Sequence, residues 1–146
     1  MTIYFGADHR GFELKTQLKV IAGQAGHRVV DLGNTVLDSA DDYPDFAARV
    51  AEKVSIDSQS RGVVICGSGV GVDEVANKFQ GVRSALAISK EQIAAARQDD
   101  DVNVLSLAAD FTDAGTAADI LKTFLATPFV NVERHRRRIE KISKLE

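Results

Sequence analysis

The chain has 146 residues with 18 basic and 21 acidic side chains, a net charge of −3 that disfavours a general nucleic-acid binder. Its composition, 45% hydrophobic and 27% charged, is typical of one globular domain spanning residues 1–146. The one cysteine excludes an intrachain disulfide. Because no apolar run approaches the roughly 20 residues of a membrane span and no signal peptide is recognisable, we expect a protein of the reducing cytoplasm without a membrane partner.

Short apolar runs alternate with amphipathic stretches along the whole chain. The runs predict β-strands at 2–6, 28–32, 62–66, 83–88 and 103–108. Apolar spacing predicts helices between them, including a capped start at Ser89 and a last helix at about 132–145. Continuous apolar strands are covered on both faces. The pattern therefore predicts an α/β fold, a three-layer α/β/α sandwich around a five-stranded parallel Rossmann-like sheet.

Polar residues follow the first predicted strand, where parallel folds bind ligands. Asp8 is suited to accept protons from hydroxyl groups, and His9 and Arg10 are suited to bind an anion. An alternative is that Asp8 or His9 only caps the helix that starts near Gly11.

The third predicted strand runs into Cys66-Gly67-Ser68-Gly69-Val70-Gly71. Glycines allow a ligand to approach the backbone closely, and consecutive amide N–H groups favour both an anion and a thiolate. A thiolate beside such amides suits proton abstraction next to a carbonyl, because the amides stabilise the developing enediolate. The alternative is that Cys66 is a small buried apolar residue.

Three charged clusters allow both a functional and a structural interpretation. The acidic residues around Tyr43-Pro44 favour the solvated first turn of a helix over a metal site. The run 99–101 is either a solvated loop or a ligand-facing one. Arg134 and Arg138, four residues apart, share a helix face that either binds phosphate or is exposed to solvent.

Nearly the whole sequence resembles the type B ribose 5-phosphate isomerases, a family that includes the subunits of galactose 6-phosphate isomerase. The resemblance rests on ordered segments, namely Gly6-Ala7-Asp8-His9, Asp42-Tyr43-Pro44, Ile65 to Gly71, Ala76-Asn77-Lys78, Gly81-Val82-Arg83, Asn103-Val104-Leu105, and Arg134-His135 with Arg138. It implies a homodimer or tetramer with active sites between subunits. It also implies a small sugar phosphate as ligand and neither a metal nor an organic cofactor.

The resemblance also implies the role of each residue in converting ribose 5-phosphate to ribulose 5-phosphate. Cys66 would be the base, and Ser68 with the amides of Gly67, Gly69 and Gly71 would bind the enediolate oxygens. Asp8 would help to open the sugar ring, and Tyr43 would line the pocket. The phosphate would be held by His9, Arg134 and Arg138.

This chain departs from the family at three positions. Asp99 and Asp100 stand where the family usually has a ring-opening His and a sugar-binding Asn, and Asp110 stands where it usually has a phosphate-binding Arg. Carboxylates repel a phosphate. Two alternatives therefore remain, an isomerase of another sugar, with or without a phosphate, and a catalytically silent sugar-binding member of the family.

Overall fold

The structure is a computed structural model that describes residues 1–146. Strands and helices alternate along the chain, and the last strand is followed by two helices. The strands are β1 (Thr2–Ala7), β2 (Arg28–Asp31), β3 (Arg61–Cys66), β4 (Ser84–Leu86) and β5 (Val104–Ala108). The helices are α1 (Phe12–Gln24), α2 (Tyr43–Ile56), α3 (Val70–Ala76), α4 (Lys90–Asp100), α5 (Ala114–Ala126) and α6 (Glu133–Ser143).

The strands form one parallel sheet in the order β2-β1-β3-β5-β4. In the central pairs Ile3 lies opposite Arg61, and Gly62 lies opposite Val104. The predicted five-stranded parallel sheet is confirmed, and each strand lies within two residues of its predicted bounds. The strand order itself was not predicted.

Side chains of the central strands alternate between two apolar cores. One core contains Phe5, Ile65 and Leu107 and is covered by α1, α4 and α5. The other contains Val64, Cys66 and Val104 and is covered by α2 and α3. The sheet is therefore the middle layer of an α/β/α sandwich, as predicted, and Cys66 points toward the layer of α2 and α3.

The strand order reverses between β1 and β3. The chain leaves β1 through α1 on one face of the sheet and leaves β3 through α3 on the other. Two connections that depart to opposite faces leave a crevice between the carboxyl ends of their strands, which is where open α/β sheets bind ligands. The segments 8–11 and 67–71 border this crevice.

Local signals explain how several helices begin and end. Ser89 Oγ accepts a hydrogen bond from the Gln92 amide, which confirms the predicted cap of α4. Pro128 follows α5 after two residues, and α6 occupies the predicted C-terminal segment. The structure contains no helix of the length and apolar character that a membrane crossing requires.

Candidate functional site

A cavity of about 290 Å³ opens at the crevice between β1 and β3. Its lining combines acidic, basic, thiol and hydroxyl groups with the glycine loop. The residues are Asp8, Arg10, Tyr43, Cys66, Gly67, Ser68, Val70, Gly71 and Glu74. Six of the predicted site residues therefore lie close together around this cavity, namely Asp8, Tyr43, Cys66, Gly67, Ser68 and Gly71.

Cys66 is the last residue of β3, and only 4% of it is exposed. The amide of Gly69 donates a hydrogen bond to its Sγ over 3.2 Å. Gly69 turns the chain back toward the thiol with φ of 74°, a left-handed conformation that favours glycine. The loop thus aims an N–H group at the sulfur, which stabilises a negative charge there.

Two other amides of the loop remain available to a ligand. Neither the Gly67 nor the Gly71 amide donates to another group of the chain. The Tyr43 ring packs directly on Gly71, where a Cβ atom would collide with it. Ser68 is exposed beside these amides and accepts a weak hydrogen bond of 3.4 Å from the Val70 amide. Of the three amides expected to bind oxygens, that of Gly69 is paired with the thiol and those of Gly67 and Gly71 are unpaired.

The structure shows the capping role of Asp8 and leaves one of its oxygens unpaired. Its Oδ1 accepts from the amides of Arg10 and Gly11, both at 3.0 Å, so the carboxylate caps the entry to α1. Its Oδ2 accepts no hydrogen bond within the chain and remains accessible to solvent. Asp8 is 5% exposed and lines the cavity, so one oxygen holds the backbone while the other is left without a partner in the chain.

His9 is oriented by Asp41, which is 32 residues away in the sequence. Asp41 Oδ1 accepts from the His9 amide at 2.9 Å and from His9 Nδ1 at 2.7 Å. Since a carboxylate only accepts, the proton lies on Nδ1, and Nε2 is left without a partner. The prediction that the acidic residues around Tyr43-Pro44 are solvated is therefore wrong for Asp41, whose side chain is 6% exposed.

A chain of hydrogen bonds fixes Asp41 in turn. Asn34 Nδ2 donates to Asp41 Oδ2 at 3.0 Å, and the buried Lys15 ammonium donates to the Asn34 carbonyl and to Asp31. Burial acts to raise the pKa of Asp31, but hydrogen bonds from Lys19, Lys15 and the Gly33 amide outweigh it and hold that pKa below its ordinary value. The hydrogen bonds that orient His9 therefore continue through Asp41 and Asn34 to the partly buried ion pair of Lys15 and Asp31.

Arg10 and Asp110 meet above the glycine loop. Arg10 Nη2 forms an ion pair with Asp110 Oδ2, and the guanidinium covers Gly67. The Asp110 amide donates to the Gly67 carbonyl at 3.0 Å. The negative charge that Asp110 was expected to add is therefore paired with Arg10.

The remaining predicted site residues lie elsewhere in the chain. Asp99 and Asp100 are the last residues of α4, which starts near the carboxyl end of β4 and returns to the amino edge of the sheet. Arg134 and Arg138 are exposed on α6, which packs against α4. These four residues thus form a second group at the opposite edge of the sheet from Cys66.

Local contacts tie the second group together. Arg134 Nε donates to His135 Nε2 at 3.1 Å, and Asp99 Oδ1 lies 3.6 Å from the same nitrogen. Asp101 is paired with Arg83 and Arg97, so it does not contribute a free charge. The side chain of Asp100 has no partner and borders a cavity of about 710 Å³ next to α6.

Two features of the crevice were missed by sequence reasoning. The role of Asp41 depends on a contact between distant segments, and no local pattern signals it. Glu74 also borders the cavity. The only sequence signal for its position is its spacing of four residues from Val70, which places both on the same face of α3. No group of three or more His, Cys, Asp or Glu side chains has a geometry that would hold a metal ion.

The fold and the crevice define a class of protein, an α/β protein with a thiol and free amides at the switch point of a parallel sheet. The profile of the Ribose/Galactose Isomerase family matches residues 3–142, and the chain belongs to that family. A probable ribose-5-phosphate isomerase B of Mycoplasma genitalium is 43% identical over 145 residues, 99% of this chain and 95% of the relative.

Solved structures agree with this assignment. Ribose-5-phosphate isomerase B from Mycoplasma genitalium with bound ribulose-5-phosphate superposes with a TM-score of 0.95 at 42% identity, covering 99% of this chain and 95% of the other. Type B ribose 5-phosphate isomerase from Trypanosoma cruzi gives a TM-score of 0.94 at 39% identity, with 99% and 95% coverage.

Proposed function

We propose that this chain interconverts ribose 5-phosphate and ribulose 5-phosphate through an enediolate, with Cys66 as the base. The observation that carries the proposal is the cavity at the switch point, where a thiol that accepts an amide hydrogen bond lies beside two unpaired amides. The family relationship supports the same reaction. A pure sugar-binding protein would have no need of a stabilised thiolate.

The reaction follows from the groups that line the cavity. Asp8 Oδ2 takes the proton of the anomeric hydroxyl at C1 as the C1–O4 bond breaks, and it passes that proton to O4, which leaves the open-chain aldose. The Cys66 thiolate removes the proton from C2, and the electron pair moves onto the carbonyl oxygen at C1. The Gly67 and Gly71 amides with Ser68 Oγ donate to the enediolate oxygens. The thiol then returns the proton to C1 while the hydroxyl proton at C2 passes to the oxygen at C1, which gives the ketose without an external oxidant or reductant.

The phosphate requires groups that one chain does not bring together. His9 follows Asp8 at the carboxyl end of β1 and has an unpaired Nε2, whereas Arg134 and Arg138 lie at the opposite edge of the sheet. The single-chain cavity of about 290 Å³ is also small against the roughly 300–1,000 Å³ of typical ligand sites. We infer that the second group reaches the site from a partner copy, in a homodimer or a tetramer.

Exposed apolar side chains support this assembly. Ile88 and Phe111 are 74% and 81% exposed and border a cavity that contains Ser68. On α6 only His135 is buried, while Ile142 and the following Leu145 are largely exposed. Apolar surface of this kind next to a site is characteristic of an interface between chains.

The proposal is tested by a coupled assay of ribulose 5-phosphate formation from ribose 5-phosphate, with wild type and Cys66→Ala. We expect the substitution to lower kcat by about 10²–10⁴, the typical contribution of a positioned base. Cys66→Ser should be nearly as inactive, because a hydroxyl is far less acidic than a thiol. Melting temperature and sedimentation should remain those of wild type.

Val64→Ala provides the matched control, because Val64 lies two residues earlier in the same core. It removes more buried volume than Cys66→Ala, yet it should leave kcat unchanged. Retention of near wild-type turnover by Cys66→Ala would eliminate Cys66 as the base. A panel of unphosphorylated pentoses and hexoses tests the alternative substrates, and no activity on any sugar would favour a silent binding protein.

A further inference from the structure

Arg10 is the one cationic side chain that lines the cavity with Cys66 and Ser68. We propose that Arg10 binds the anionic end of the substrate and that Asp110 is the positioning residue that holds its guanidinium over the glycine loop. This inference rests on the proposed function and assigns a specificity-determining residue to the same site. It concerns a pair that is close only in the folded chain, because 99 residues separate its members in the sequence.

Backbone contacts fix both ends of the pair beside the site. The Arg10 amide donates to Asp8 Oδ1, so Arg10 leaves the backbone where the Asp8 carboxylate is held. The Asp110 amide donates to the Gly67 carbonyl, and the Ala109 amide donates to the Cys66 carbonyl at 2.9 Å. The pair therefore bridges the segments that follow β1, β3 and β5.

The guanidinium uses only part of its donor capacity. Nη2 contacts Asp110, while Nε and Nη1 lie over Gly67 and have no acceptor in the chain. A guanidinium has five N–H donors in a rigid fork that matches the oxygens of a phosphate. The unused donors are at the wall of the cavity that contains the thiol, and Arg10 is about half exposed, so a ligand reaches them from solvent.

Asp110 has two effects on an anionic ligand. Its carboxylate restricts the guanidinium to one position, which lowers the ordering cost when the ligand binds. The same carboxylate would repel a phosphate if Arg10 were absent. The effect of removing Asp110 should therefore depend on whether Arg10 is present, which a purely structural ion pair on the surface would not show.

The experiment measures KM for ribose 5-phosphate and the competitive inhibition constant of inorganic phosphate for wild type, Arg10→Gln, Arg10→Lys, Asp110→Asn and the double variant Arg10→Gln/Asp110→Asn. Arg10→Gln should raise both constants by about tenfold or more, with a smaller change in kcat, because charge-assisted hydrogen bonds are lost. Arg10→Lys should recover part of the loss, since it restores the charge without the fork.

Asp110→Asn should raise KM or leave it unchanged in the wild-type background. In the Arg10→Gln background it should lower KM, because an unpaired carboxylate is removed from the phosphate. Arg28→Gln is the matched control, since Arg28 is an exposed arginine at the amino end of β2. It should change neither constant.

Three outcomes overturn the inference while wild type remains an active isomerase. They are unchanged constants in Arg10→Gln, a loss of kcat without a change in phosphate inhibition, and an effect of Asp110→Asn that is the same in both backgrounds. If wild type itself does not convert ribose 5-phosphate, the proposed function fails first, and the phosphate inhibition constants are replaced by direct titration of inorganic phosphate. Equal affinity of wild type and Arg10→Gln in that titration also overturns the inference.

Discussion

Mixing two defective variants tests whether each catalytic site is built from two chains. One variant is Cys66→Ala, which damages the crevice, and the other is the double substitution Arg134→Ala/Arg138→Ala on α6. The two groups lie at opposite edges of the sheet, and strands of five to six residues are about 17–20 Å long. That length exceeds the reach of a five-carbon sugar phosphate, so the two groups of one chain do not contact the same substrate molecule.

The expected magnitude follows from the losses in each variant and from dimer symmetry. Removing two charge-assisted hydrogen bonds of about 1.5–3 kcal/mol each lowers kcat/KM by roughly 10²–10⁴, and loss of the base lowers the rate comparably. In a mixed dimer one site receives both damaged groups and the other receives both intact groups. When the two chains assort randomly at equal amounts, half the dimers are mixed, and the rate should be about a quarter of wild type.

The assay compares co-expressed or co-refolded mixtures with each variant alone at substrate concentrations below KM. Asp8→Ala with Cys66→Ala is the matched control, because both residues lie in the same crevice and their mixed dimer contains no intact site. That mixture should remain inactive. If the Cys66 and α6 variants together give only the sum of their separate rates, the site does not combine groups from two chains, and the inter-subunit reasoning is refuted.

Three further predictions concern the support of the site. Asp41→Asn should raise KM for ribose 5-phosphate about three- to tenfold with little change in kcat, because a neutral amide holds the His9 imidazole less firmly; an unchanged KM would show that His9 is oriented by other contacts. Asp31→Asn should destabilise the fold by about 3 kcal/mol at pH 7, measured by urea unfolding, because the buried Lys15 loses its charged partner. Since the folded-state pKa of Asp31 is lowered, its contribution is full above about pH 4 and is lost as the pH falls through the folded-state pKa, so the difference between wild type and variant should shrink in acid. Phe111→Asp should weaken the association between chains, so that sedimentation detects dissociated chains at protein concentrations at which wild type remains assembled. The specific activity of the variant should also fall on dilution. An unchanged assembly would place Phe111 outside the interface.

The fold was predictable because its signals are local. The run 63–66 is apolar without interruption, as expected of a strand covered on both faces, and all four residues are buried. Ser89 and Gln92 form the predicted cap within one turn of helix. The order of the strands in the sheet was not predictable in this way, because it depends on how distant segments pack. No local pattern of the sequence encodes the reversal between β1 and β3.

The site was predictable only where its groups follow one strand. The loop 66–71 is contiguous, so its glycines and thiol were recognisable together. Asp41 supports His9 from a distant segment, and Asp110 meets Arg10 only because β5 lies beside β3 in the sheet. A carboxylate in the sequence is a charge without a known partner, and for this reason Asp110 was expected to repel a phosphate, whereas in the structure it is paired with Arg10.

The acidic residues that distinguish this chain differ in whether a cation neutralises them. Asp110 forms an ion pair with Arg10. Asp99 Oδ1 lies 3.6 Å from His135 Nε2, but that nitrogen accepts from Arg134 Nε and has no proton to donate to Asp99. The side chain of Asp100 also has no partner, and it lies at the end of α4 where solvent and the larger cavity screen it. The Arg10–Asp110 pair thus places a guanidinium beside the glycine loop although position 110 carries a carboxylate.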